Sequence, residues 1–191
     1  MGRAARVLSL ARAWPAVAVG LALGISAGSG LAASEGESKR AAKPASVDRI
    51  LVKKADHTVT LFSKEEVVLR TTAALGPGGA GPKLREGDMV TPVGRYRIVS
   101  KGPSRFRTFL GIDYPNEVDK ARFARLRASG ALPKDARIGG DIGLHAPPKG
   151  APWKVGHKLV DWTAGCIAVD DDEIDLIAKS APIGTVVDIE D

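Results

Sequence analysis

The chain has 191 residues, 28 Lys and Arg against 22 Asp and Glu, a net charge of +6 and one cysteine. That length suits one ordinary domain with a proper core, and so modest a charge excess leaves no strong footprint of a nucleic-acid binder. A single cysteine excludes any disulfide within the chain.

Arg3, Arg6 and Arg12 precede an apolar stretch, Ala13 to Leu31, and Ala32 and Ala33 then lead into Ser34-Glu35-Gly36-Glu37. A basic start, an apolar middle and a small-residue end are the order of a secretory signal, predicted here over residues 1–33. Neither Leu31-Ala32-Ala33 nor Gly30-Leu31-Ala32 is an A-x-A site, so an uncleaved membrane anchor is the alternative. The apolar stretch reaches about the 20 residues that a spanning helix needs. Membrane attachment is expected only in that uncleaved case. Removing 33 of the 191 residues leaves 158 and takes away three arginines, which lowers the net charge to +3. The expected location is the periplasm or cell wall, where nucleic acid is not an expected partner.

Residues 34–47, SEGESKRAAKPASV, read as a linker, with the domain proper over 48–191. Ile50-Leu51-Val52 and Thr58 to Phe62 are β-rich runs flanking a turn, which predicts a hairpin, and Glu66 to Thr72 is a third strand beside it. Residues 76–87, GPGGAGPKLREG, are loop, and Thr91-Pro92-Val93-Gly94 turns into a strand over Arg95 to Val99. Asn116 caps a largely exposed helix ending near Ala128 and Gly130. A short strand over Asp141 to His145 follows, then a helix capped by Asp170 or Asp171 through about Lys179, and a last strand over Thr185 to Ile189. Ile174, Leu176 and Ile177 are expected to face inward from that helix. The fold class is mostly β, a sandwich- or barrel-like sheet with two short helices.

A lone thiol in an oxidising compartment is buried and inert, paired to another molecule, or reactive. Cys166 follows Thr163-Ala164-Gly165 and precedes the apolar Ile167-Ala168-Val169, which suits a tight turn leading into the core. Its base must be one of three histidines. His57 and His157 read as solvated turn and loop residues, whereas His145 ends an apolar strand and can face Cys166 across neighbouring strands. A structural cysteine beside a satisfied histidine remains an alternative from these residues alone. So does a zinc site drawing on Cys166, His145, His157 and Asp161, although their spacing fits no closed pattern.

Taken together, Ile142-Gly143-Leu144-His145, Thr163-Ala164-Gly165-Cys166-Ile167, Gly87-Asp88, Thr91-Pro92-x-Gly94-x-Tyr96-x-Ile98 and Tyr114-Pro115-Asn116 resemble the signature segments of the L,D-transpeptidase catalytic domain (YkuD-like) family of bacterial cell-wall enzymes. The acidic stretch Asp170 to Ile174 is similar as well. The resemblance implies a cysteine acyltransferase acting on peptidoglycan stem peptides through a thioester. Cys166 would be the nucleophile and His145 the base and later the acid, with no metal or organic cofactor required. Backbone amides near Gly165 and Cys166 would form the oxyanion site, Thr163 and Ala164 would shape the turn, and the Ala146 carbonyl would orient the imidazole. Trp153, Trp162 and Tyr114 are pocket candidates, and the thiol is expected to titrate below its free value. Two departures stand out: Ala164 occupies a position where many members have histidine, and Ala168 one where many have arginine. Rival readings are hydrolysis with water as acceptor, a non-catalytic wall-binding module, and a homodimer joined through Cys166. Oligomeric state is not readable from the residues.

Overall fold

The computed structural model describes residues 46–191. The leader expected over 1–33 and most of the linker expected over 34–47 lie outside the described residues. Eight strands form one sheet: β1 Arg49–Lys53, β2 Thr58–Ser63, β3 Glu66–Thr72, β4 Gly94–Ser104, β5 Arg107–Ile112, β6 Gly143–His145, β7 Ile167–Ala168 and β8 Val186–Glu190. Their order is β3-β2-β1-β8-β4-β5-β6-β7. The two helices are α1 Glu117–Ala128 and α2 Asp171–Ser180.

The first arm of the sheet follows from period-two alternation. Ile50 pairs with Leu61 on one side and Val187 on the other, and Val187 pairs with Tyr96, so one buried row crosses four strands. Val59, Val52 and Ile189 make the next row. Burying each such side chain contributes about 1.5–3 kcal/mol. Gly94, with φ +151°, ends that row, and a Cβ there would press on the Tyr96 ring, 3.1 Å from its phenol oxygen. The Tyr96 hydroxyl in turn reaches the buried Asp119 carboxylate of α1, which also accepts the Asn116 N–H in a capping box.

β4 joins the two arms. Its first residues, Gly94 to Arg97, pair with β8, and past a register shift between Ile98 and Ser100 it pairs with β5. β5 was not predicted: RTFLGI interleaves charge, small residues and aromatics, and only the partner strand makes its pattern legible. The sheet then curls until Ala74, just after β3, exchanges both backbone hydrogen bonds with Ala168 of β7. Its two edge strands therefore meet. Asp170 caps α2 in a reciprocal box with Glu173, and Ile174 and Ile177 are fully buried. Leu176, expected inward, is only half-buried, because it lies off the stripe those two residues set.

Candidate active site

Cys166 and His145 come together through the parallel β6–β7 pair. The register Leu144↔Ile167 and His145↔Ala168 sets Cys166, the residue before β7, beside Gly143, two residues before the histidine. Both side chains line one cleft of about 540 Å³, walled by Phe106, Phe109 and Trp162. A second cleft of about 550 Å³ opens on the other side of the sulfur, lined by Lys83, Glu86 and the 139–142 backbone. Asp141, Ala164 and Cys166 belong to both.

The turn carrying the thiol is built around one hydroxyl. Thr163 Oγ1 donates to the Cys166 carbonyl at 2.7 Å and accepts the Gly165 N–H at 3.1 Å. Gly165 has φ +126°, and a Cβ there would sit 2.6 Å from the Val90 carbonyl oxygen, so no side chain fits. The turn is clasped from behind as well. The amides of Trp162 and Thr163 donate to the Leu75 carbonyl, while the Leu75 N–H donates to Asp161 Oδ1 at 2.7 Å. The amide of Gly165, expected as an oxyanion donor, is thus already taken by Thr163, and the Cys166 amide is the donor of the turn left for that role.

His145 is buried, and its Nδ1 lies 2.7 Å from the Ala146 carbonyl oxygen. A carbonyl only accepts, so Nδ1 carries the proton and Nε2 is left as a lone pair. Phe106 tilts over the ring at a centroid distance of 4.4 Å, and Trp162 meets it edge-on at 5.7 Å. Burial among these rings pushes the imidazole below its usual value, the Ala146 bond opposes that shift, and the charges of His157 and Arg105 reinforce it. At neutral pH the ring is therefore uncharged.

The sulfur is also uncharged at rest. Burial pushes the Cys166 thiol up, against the opposing pull of the Gly143 amide and the Lys83 charge. Its contact with the Asp141 carbonyl oxygen, at 3.5 Å, requires the S–H proton. The expectation of a depressed thiol pKa is corrected: an apolar wall outweighs one nearby cation. The sulfur and the imidazole are thus both uncharged in the cleft they share.

Other expected residues fall elsewhere. Tyr114, a pocket candidate, is buried in the core edge-on to Tyr96, and its hydroxyl donates to the Ile138 carbonyl. Trp153 is half-exposed and stacks edge-on against Trp162, away from the cleft that Trp162 lines. Tyr114 is drawn inward by core packing, whereas Trp153 has only the edge of Trp162 to pack on. Ala146 is buried and Ala164 exposed at the junction of the clefts. His157, expected in solvent, is buried with Nε2 3.0 Å from Asp170, and His57 is only half-exposed, 3.1 Å from Asp161. These pairings scatter the four zinc-type ligands rather than gathering them.

Sequence reasoning missed Lys83 and the roles of Asp88 and Asp161. Asp88 accepts Lys83 Nζ at 2.6 Å and the amides of Leu84, Arg85 and Val90. Burial works against its ionisation, yet these bonds outweigh it and hold the carboxyl below the usual range. Thr91 Oγ1 accepts the Gly76 N–H. The Gly-Asp and Thr-Pro segments that carried the resemblance were the available signal for this loop.

The family model of the L,D-transpeptidase catalytic domain matches residues 47–189. Among solved structures, the fold is similar to the helical cell shape determining protein Pgp2 from Campylobacter jejuni, at 23% identity and a TM-score of 0.53, covering 78% of this chain and 52% of that one. It is also similar to Bdellovibrio bacteriovorus Bd1075, at 22% identity and a TM-score of 0.51, covering 75% of this chain and 48% of that one. The chain thus spans about half the length of these structures. A comparison with curated proteins finds no match.

Proposed function

The chain belongs to the L,D-transpeptidase catalytic domain family, and on that basis we propose that it transfers an acyl group between peptidoglycan stem peptides through a thioester on Cys166. The observation that carries this reading is the His145 ring, whose Nδ1 proton is committed to the Ala146 carbonyl while Nε2 stays free in the cleft it shares with Cys166. His145 accepts the thiol proton as the sulfur attacks the carbonyl that follows the L-centre of the third stem residue. The Cys166 amide receives the developing oxyanion. His145 then passes its proton to the departing amine of the terminal D-residue, and a thioester remains. An amine from a second stem attacks that thioester, forming a crosslink and returning the thiol. The secretory signal expected over residues 1–33 accords with a substrate outside the cytoplasm.

Incubation with purified disaccharide-tetrapeptide muropeptides, followed by mass analysis, tests the proposal. Crosslinked dimers are expected. Shortened monomers alone would make water the acceptor and the protein a carboxypeptidase, and binding without turnover would leave only a wall-binding module.

A further inference from the structure

Lys83 is a cation buried in the wall of the second cleft, with its side chain only 3% exposed. An ammonium carries three N–H donors, and burying one without acceptors is costly. Nζ has one strong acceptor, Asp88 Oδ1 at 2.6 Å, and one distant acceptor, the Ala164 carbonyl oxygen at 3.4 Å. The same carboxylate also takes three backbone amides, whose positive ends add to the cation's field at this corner of the cleft. Two acceptors for three N–H groups leave the ammonium with donor capacity at the cleft that Lys83 lines. That cleft reaches Cys166, and the thiol feels the lysine. At position 168, where a cation two residues past the sulfur would stand, Ala168 is fully buried against Ala74 and leaves no room for one.

We propose that Lys83, fixed by Asp88, is the anion-binding residue of the second cleft and holds a carboxylate of the peptide bound beside Cys166. This rests on the acyl-transfer reading, and it makes the free carboxylate next to the reacting bond a requirement of the substrate.

Two experiments test it together. In the first, Cys166 of the wild type, Lys83→Met and Lys83→Arg is alkylated with iodoacetate and with neutral iodoacetamide, and the adducts are followed by intact mass. Lys83→Met should lose about tenfold in rate with iodoacetate relative to iodoacetamide, the scale of one charged hydrogen bond, and Lys83→Arg should regain most of that preference. Equal losses with both reagents would overturn the proposal. In the second, which needs no variant and is immune to misfolding, the wild type is given a tetrapeptide muropeptide with its terminal carboxylate free or amidated. KM should rise about tenfold on amidation. Equal turnover of the two would overturn the anion site while leaving acyl transfer intact. No turnover of either, with the iodoacetate preference retained, would overturn acyl transfer and leave the anion site standing.

Discussion

Two regions of the sheet, its β1–β8 interior and its β6–β7 edge, are held by different means. Around β1 and β8, five-residue strands pair on both sides, and apolar rows lock the register. Around β6 and β7 the strands have three and two residues, and the chain is positioned by single polar atoms: the Thr163 hydroxyl, the Asp161 and Asp88 carboxylates and the Thr91 hydroxyl. Apolar rows are tolerant, because many contacts each contribute little. A turn held by individual hydrogen bonds is intolerant, and the intolerant end is where the sulfur sits.

The largest effect tests whether the polar end carries the chemistry. Cys166→Ala should form no covalent adduct with a carbapenem, and His145→Ala should slow acylation by about 100-fold or more, both read by intact mass. An unchanged rate in the His145 variant would remove it as base. Next, Gly165→Ala sets a methyl against the Val90 carbonyl, and the turn must shift. We expect acylation to fall by about 100-fold, since a displacement near 1 Å is enough for that.

Ile50→Ala is the counterpart in the apolar interior of the sheet. It should cost about 2–5 kcal/mol in denaturant unfolding while acylation per folded molecule stays nearly constant. If Ile50→Ala impaired acylation as severely as Gly165→Ala does, the division between the two regions would fail.

The pH dependence sharpens the contrast further. In the proposed mechanism neutral His145 is the base, and burial lowers its pKa, so activity should persist as pH falls through about 6.5 and be lost only below that. Stability follows the same sign. The folded state disfavours the charged ring, so this contribution is present above the unfolded pKa and shrinks as pH drops through the window between the two values. An acid limb of the acylation rate centred at or above 6.5 would contradict the buried, uncharged ring. Trp153→Ala should have the smallest effect, within about threefold on acylation, because that ring is half-exposed and outside the cleft.

Much of the fold was legible in the residues. Alternation marked β1, β2, β3, β4 and β8, and Asn116 and Asp170 announced both helices through their caps. These signals are local: a period-two pattern or a capping side chain acts within a few residues of itself. β5 was not legible, because its burial pattern depends on being sandwiched between β4 and β6. At the site, the Thr-x-Gly-Cys turn and the strand-end histidine pointed to each other. The roles of Lys83, Asp88 and Asp161 did not, since their partners lie on loops whose approach no spacing encodes.

By itself, then, the sequence determined which residue types were available: one thiol, a histidine ending an apolar strand, a glycine where the chain must turn, and enough alternating strands for a curled sheet. Only the tertiary structure decided their protonation and their company. It buried His145 among aromatic rings, raised the thiol against an apolar wall, drew Tyr114 into the core and brought a lysine 83 residues before Cys166 in the chain to the cleft beside it. The reason is physical: desolvation and Coulomb terms depend on distance in space, which chain order leaves open until the sheet closes on itself.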